Sequence, residues 1–146
     1  MKKLSLLALM VIFLGGCTEE HHNSYSTYVS DYQKNYTIRS NQWTKAIDDD
    51  FGVYFYYQIG DQNLTQDVFK YGIMTAYLYY VQPTSRVTEL HLLPFDDYYI
   101  DKNGYKWTEQ VSCSFSPGYI TFFLKYDDQT HDTPSSDYTF QVRFLW

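Results

Sequence analysis

Hydrophobic and polar residues alternate along the C-terminal two-thirds of the chain. Residues 138–146 carry an aromatic or aliphatic side chain at every even-numbered position, and residues 119–126 repeat this order. The run 105–115 alternates in the same way around Val111 and Cys113. Because successive side chains of a strand point to opposite faces, these runs predict strands with one apolar face, which is typical of antiparallel sheets.

Short apolar runs rich in aromatic and β-branched residues recur along the rest of this region. The predicted strands lie at 36–43, 52–59, 72–81, 88–94, 98–100 continuing into 105–115, 119–126 and 138–146. About seven strands with turns at this spacing predict an all-β fold, an antiparallel β-sandwich of immunoglobulin-like or jelly-roll-like type. A small closed barrel is the alternative.

Turn residues separate these strands. Asn103-Gly104 predicts a type I′ hairpin turn, and Ser116-Pro117-Gly118 predicts a type II turn. One short helix is predicted within 63–72, with Asn63 and Gln66 as its capping box and a glycine as its stop. The domain at 36–146 is long enough to bury its own core.

The N-terminus has the layout of a secretory signal peptide. Two lysines precede an apolar run of residues 4–16, which is shorter than the roughly 20 residues that span a membrane. The ending Leu14-Gly15-Gly16-Cys17 resembles the lipobox of bacterial lipoproteins, and this resemblance implies cleavage after residue 16 and a lipidated, palmitate-bearing Cys17. An ordinary secreted protein is the alternative.

The polar stretch 17–35 is interpreted as a tether between the lipid anchor and the domain. Its tyrosines allow its later part to dock on the domain. Glu19-Glu20 resembles the acidic signal that directs lipoproteins of Bacteroidota to the outer face of the outer membrane. We therefore expect a lipid-anchored protein facing outward from the cell.

The net charge and the cysteine content argue against a nucleic-acid partner and against an intramolecular disulfide bond. Loss of Lys2 and Lys3 with the signal peptide changes the formal charge from −6 to −8, which disfavours nucleic acid as a partner. With Cys17 lipidated, Cys113 has no disulfide partner and is expected to be a small buried hydrophobic residue.

Candidate catalytic and metal-binding residues are scattered. Glu109 with Asp96 or Asp97 contains the residue types of a glycosidase pair, but the sequence fixes no separation between them. The aspartates at 48–50 and in 127–137 are acidic-loop candidates for calcium, with a solvated loop as the simpler interpretation. We expect no enzyme activity, no cofactor and no metal site.

Tyrosine is abundant, with 17 residues in the chain. Both faces of the strands at 52–59 and 72–81 are apolar or aromatic, which indicates either burial on both sides or an exposed aromatic surface that binds a sugar ring or a protein. The candidate ligand-binding residues are Tyr54, Tyr56, Tyr77, Tyr79, Tyr98 and Tyr99.

The segments "YTIRSNQW", "YGIMTAYLYY", "SFSPGYITFFLKYDD" and "FQVRFLW" resemble a family of small lipoproteins of Bacteroidota with an all-β domain. The resemblance covers most of residues 35–146 and the lipobox, and it carries over no catalytic residue. Together with the tyrosines, it predicts a surface-exposed binding module for glycan or another surface polymer. The alternative is a structural or accessory subunit that docks on an envelope protein.

Overall fold

The computed structural model describes residues 29–128 and 131–146. Within these ranges nine strands form two antiparallel sheets, so the predicted all-β sandwich class is confirmed and the strand number is larger than the predicted seven. The predicted single short helix is also present. None of the helices in this part of the chain has the length and apolar composition needed to cross a membrane.

Sheet I has four strands and sheet II has five. The strands of sheet I, in spatial order, are β1 (Asp31–Ile38), β9 (Tyr138–Leu145), β4 (Ile73–Val81) and β5 (Thr88–Leu92). Those of sheet II are β2 (Thr44–Asp48), β3 (Gly52–Gly60), β8 (Tyr119–Tyr126), β7 (Lys106–Ser116) and β6 (Phe95–Ile100).

The core lies between the two sheets and is aromatic at its centre. Phe122 of β8 and Phe140 of β9 are fully buried, and their rings stack across the sheets with centroids 4.1 Å apart. Burying one such side chain stabilises the fold by roughly 1.5–3 kcal/mol. The strict alternation of β8 and β9 therefore puts alternate side chains into this core and the others outside, as the sequence pattern predicts.

Asp61, which directly follows β3, links β1 of sheet I to sheet II through hydrogen bonds. Its carboxylate accepts hydrogen bonds from the hydroxyl groups of Tyr32, at 2.9 Å, and Tyr36, and from the backbone N–H of Asn63 at 2.9 Å. Tyr32 also stacks on Phe144. The sheet thus includes residues 31–35, which the sequence assigns to the tether, and Tyr32 docks on the domain as expected.

Two local predictions are corrected by the backbone. Helix α1 (Gln66–Tyr71) is capped by Thr65, whose hydroxyl accepts the N–H of Val68, and not by an Asn63–Gln66 capping box. The hairpin between β6 and β7 is not type I′, because that turn needs a positive φ at Asn103, and of the two only Gly104 has one. Asp101 accepts the N–H groups of Asn103 and Tyr105 instead.

The type II turn at Ser116-Pro117-Gly118 is present. Gly118 has a φ of 80°, which is the left-handed conformation that this turn requires at its third position. Its backbone also binds the β3–α1 connection, because Gly118 donates to the carbonyl of Leu64 and accepts from the N–H of Asp61. This turn therefore holds the end of sheet II against the β3–α1 connection.

Candidate functional site

The six candidate tyrosines occupy three different surfaces. Tyr54, Tyr56 and Tyr98 point outward from sheet II, and Tyr77 and Tyr79 point outward from sheet I. Tyr99 points between the sheets and stacks on Trp107 with ring centroids 5.4 Å apart. The six therefore cannot form one binding surface, and each group has to be judged by its own neighbours.

The outer face of sheet II carries a cavity of about 420 Å³ with aromatic walls. The ring centroid of Tyr54 lies 6.3 Å from that of Phe123, and Phe51, at the β2–β3 turn, is 66 % exposed beside them. Polar side chains of the neighbouring strands complete the lining: Asp48, Gln110, Ser112 and Lys125. The volume falls in the range of typical ligand pockets, about 300–1,000 Å³.

A second cavity, of about 280 Å³, continues the first along the same face. Both cavities are lined by Gln110 and Lys125, which are direct cross-strand neighbours on β7 and β8. Asp96, Thr108 and Asp127 provide the rest of the second lining. We refer to the two cavities together as the outer groove.

Tyr98 and Tyr56 lie beside the outer groove. Tyr98, 55 % exposed on the edge strand β6, is paired with Thr108, which lines the second cavity. Tyr56 is paired with Phe123, and its ring centroid lies 6.3 Å from that of Tyr54. The groove therefore crosses sheet II from β3 towards β6, with tyrosines beside both of its ends.

The outer face of sheet I has a different character. Leu92 and Leu90 of the edge strand β5 are 56 % and 48 % exposed, and they pair with Tyr77 and Tyr79 of β4. The hydroxyl of Tyr79 accepts a hydrogen bond from Gln141 at 2.9 Å. The part of this surface formed by β4 and β5 is apolar, and it lies at the β5 edge of the sheet.

Of the two carboxylate pairs considered for glycoside hydrolysis, only one shares a face. Asp97 and Glu109 are cross-strand partners that point inward, whereas Asp96 points to the outer face. The inward pair lines a cleft of about 250 Å³ between the sheets, together with Tyr80, Tyr99 and Tyr138. We refer to this cavity as the inner cleft.

Burial dominates the electrostatics of the inner cleft. It raises the pKa of Glu109 above the ordinary value, and hydrogen bonds from the hydroxyl groups of Tyr138 and Tyr126 offset part of that rise. Burial, followed by the Asp97 carboxylate, raises the pKa of Tyr80 to about 12. Burial thus shifts the pKa of both groups in the direction expected for acidic side chains in a protein interior.

Access to the inner cleft carboxylates is restricted. Glu109 is only 4 % exposed, and Asp97 Oδ2 is buried as well. A glycosidase needs a sugar ring between its two carboxyl groups. The open outer groove, with its larger cavity and exposed aromatic rings, is therefore the stronger candidate site.

The described part of the chain holds no cluster of three or more His, Cys, Asp or Glu side chains arranged for a metal ion. Asp48 instead accepts the backbone N–H groups of Asp50 and Phe51. His91 lies on β5 and contacts Glu89 at 3.1 Å, a local hydrogen bond of the kind expected for a strand histidine.

Cys113 is a free thiol on the inner face of β7, packed against the core. Burial raises the pKa of the Cys113 thiol to about 12. Cys113 is therefore packed against the core as predicted, but it is half-buried and not fully buried. Cys17, the predicted lipid attachment site, lies outside the described residues.

Sequence reasoning missed six residues of the groove: Phe51, Thr108, Gln110, Ser112, Phe123 and Lys125. The alternation of β8 contains a signal for Phe123, because this residue falls on the face opposite the buried Phe122 and Leu124. An aromatic residue on the outward face of a strand with one buried face indicates an exposed aromatic surface.

The chain was compared with protein-family models, with curated proteins and with solved structures, and it matches none of them.

Proposed function

We propose that the protein is a non-catalytic lipoprotein of the cell envelope that binds a glycan, or another surface polymer, in the outer groove. The observation that carries the proposal is the aromatic cluster of exposed Phe51 with half-buried Tyr54 and Phe123 in a cavity of about 420 Å³. Aromatic rings present flat apolar faces, and these faces match the apolar side of a sugar ring.

The polar lining supplies the second half of the recognition. Gln110 has both a carbonyl oxygen and an amide N–H group, while Asp48 accepts and Lys125 donates hydrogen bonds. Sugar hydroxyl groups donate and accept in the same way. A few placed polar groups around an apolar surface are the usual composition of a small-molecule site.

The anchor and location extend the proposal to the N-terminal segment. Acylation of Cys17 would hold the protein on its membrane without a spanning helix, because each buried CH₂ of a lipid chain contributes about 0.8 kcal/mol. The Leu14–Cys17 lipobox and Glu19-Glu20 support an outward-facing position on the outer membrane. A module in that position meets surface polymers directly.

Affinity gel electrophoresis tests the binding proposal. The full-length protein, purified in detergent, is run through gels that contain xylan, galactomannan or mixed-linkage glucan. We expect at least one of these polysaccharides to retard the protein. We expect Tyr54→Ala to weaken the interaction about tenfold, the effect of losing roughly 1.4 kcal/mol at an aromatic anchor.

Tyr77→Ala is the matched control for Tyr54→Ala, because both tyrosines are half-buried on an outer sheet face and only Tyr54 lines the groove. The control should keep the retardation of the native protein. Equal losses in the two variants would contradict a site on sheet II, and unretarded migration in every gel would contradict polysaccharide binding.

The outer face of sheet I favours a second candidate function, an accessory subunit that docks on an outer-membrane or periplasmic protein. Leu90 and Leu92 expose about half of their surface next to the edge of β5. Exposed strand edges pair readily with other chains. A protein partner, and not a glycan, would then occupy the functional surface.

A further inference from the structure

We infer that the outer groove selects an extended glycan without acidic groups, bound across the strands as a segment of several sugar units. The inference rests on the proposed function and specifies the class of glycan. It is carried by two features of the groove: its division into two adjacent cavities and the arrangement of its charges.

The two adjacent cavities favour an oligomeric ligand. The cavities of about 420 and 280 Å³ lie side by side on the outer face of sheet II, because Gln110 and Lys125 line both, so neighbouring units of one sugar chain can occupy them. The first cavity has aromatic walls, whereas the second is lined by polar and charged side chains. One sugar unit would stack beside Tyr54, and the following units would be held by hydrogen bonds near Thr108.

The charges of the groove oppose acidic ligands. Three carboxylates line it, those of Asp48, Asp96 and Asp127, against the single ammonium group of Lys125. The chain as a whole is also acidic, with a formal charge of −6. A polysaccharide that carries carboxylate or sulfate groups is negatively charged, so the negative charge of the groove would repel it and weaken its binding.

Two of these carboxylates are fixed in position by the backbone. Asp48 Oδ1 accepts the N–H groups of Asp50 and Phe51, and Asp127 Oδ1 accepts the N–H of Thr108 at 2.8 Å. The second oxygen of each carboxylate accepts no hydrogen bond from the described residues. An ionised carboxylate is only an acceptor, so these oxygens suit the hydroxyl groups of a neutral sugar.

The test compares ligands that differ in length and in charge. Isothermal titration calorimetry measures binding to the full-length protein. The ligands are mono- to hexasaccharides prepared from the polysaccharide that retards the protein in the affinity gel, together with alginate and chondroitin sulfate. We expect affinity to rise about tenfold or more from the monosaccharide to the longer oligosaccharides, and both acidic polymers to bind more weakly than the neutral ones.

The substitution Thr108→Val tests the contribution of the second cavity alone, because Thr108 lines only that cavity. Loss of its hydroxyl should lower the affinity for the hexasaccharide about fivefold and leave that for the monosaccharide unchanged. Ser114→Val is the control. This residue faces outward on the same strand but lines neither cavity.

The failure of the inference differs from the failure of the proposed function. Binding of the monosaccharide as tightly as the hexasaccharide, stronger binding of alginate than of the neutral polymers, or an unchanged hexasaccharide affinity of Thr108→Val would overturn the inference and leave glycan binding standing. Absence of binding by every neutral and acidic polymer would overturn both.

Discussion

Asp61 joins strand β1 to the β3–α1 connection through one buried carboxylate. Burial raises the pKa of this carboxyl, but hydrogen bonds from Tyr36, the backbone of Asn63 and Tyr32 outweigh it, so the pKa lies below the ordinary value. The side chain is 4 % exposed. A buried charge of this kind is tolerated only because its oxygens are fully hydrogen-bonded.

Replacement of Asp61 by alanine should lower the free energy of unfolding by about 3 kcal/mol, since it leaves the buried hydroxyl of Tyr36 and its neighbours without their acceptor. Because the pKa of Asp61 is lowered on folding, its contribution is present above the unfolded-state pKa and is lost as the pH falls through the folded-state pKa. Urea unfolding from neutral to acidic pH measures both effects.

Asp49→Ala is the control, because Asp49 is exposed in the β2–β3 turn. Its unfolding free energy should stay within about 0.5 kcal/mol of the native value. The interpretation of Asp61 would be wrong if the Asp61→Ala loss were equal in size at neutral pH and below the folded-state pKa.

At the scale of the element, helix α1 distinguishes the cap predicted from sequence from the cap that forms. Thr65→Ala should cost about 1 kcal/mol, because the hydroxyl that accepts the N–H of Val68 is removed. Gln66→Ala should change the unfolding free energy by less than about 0.5 kcal/mol. Thermal or urea unfolding of the two variants measures these changes. A larger loss of unfolding free energy for Gln66→Ala than for Thr65→Ala would support the capping box predicted from the sequence.

The sequence predicts the strands better than it predicts their ends and their neighbours. The alternation of β8 and β9 follows from burial of one face, so it can be read from the sequence alone. The start of β1 cannot be read in this way, because residues 31–35 show no apolar alternation. They form a strand by pairing with β9 and through the bonds of Tyr32 and Tyr36 to Asp61.

The groove depends on contacts that are distant in sequence. Tyr54 on β3 and Phe123 on β8 meet because of the strand order of sheet II, which no local pattern encodes. The same order turns Tyr77 and Tyr79 away to sheet I. Tyrosine content therefore indicates an aromatic surface, whereas the choice among six tyrosines requires the topology.

At the scale of the whole molecule, the two outer faces predict two different locations in the cell. A glycan-binding groove requires exposure to the outside, and an apolar docking face fits an envelope partner. If the proposed location is correct, protease added to intact cells should degrade this protein while a periplasmic control stays intact. Immunoblotting of both proteins over time measures the outcome.

Full protection of the protein in intact cells, with degradation after the outer membrane is permeabilised, would contradict the outward position. The outer face of sheet I, with Leu90 and Leu92, would then be the surface to examine by crosslinking to envelope proteins. Resistance in permeabilised cells as well would mean that the folded domain itself resists the protease, and a second protease of different specificity would be needed.

The position of β1 also determines how the domain bears mechanical load. The chain enters the domain where Ser30 and Trp146 exchange backbone hydrogen bonds of 2.8 and 3.1 Å, and β1 then pairs along its whole length with β9. Tension on the N-terminal side would pull first on this edge strand. The bonds of Tyr32 and Tyr36 to Asp61 tie the first six residues of β1 to the end of sheet II, and so would oppose its peeling if the domain were pulled against the proposed anchor.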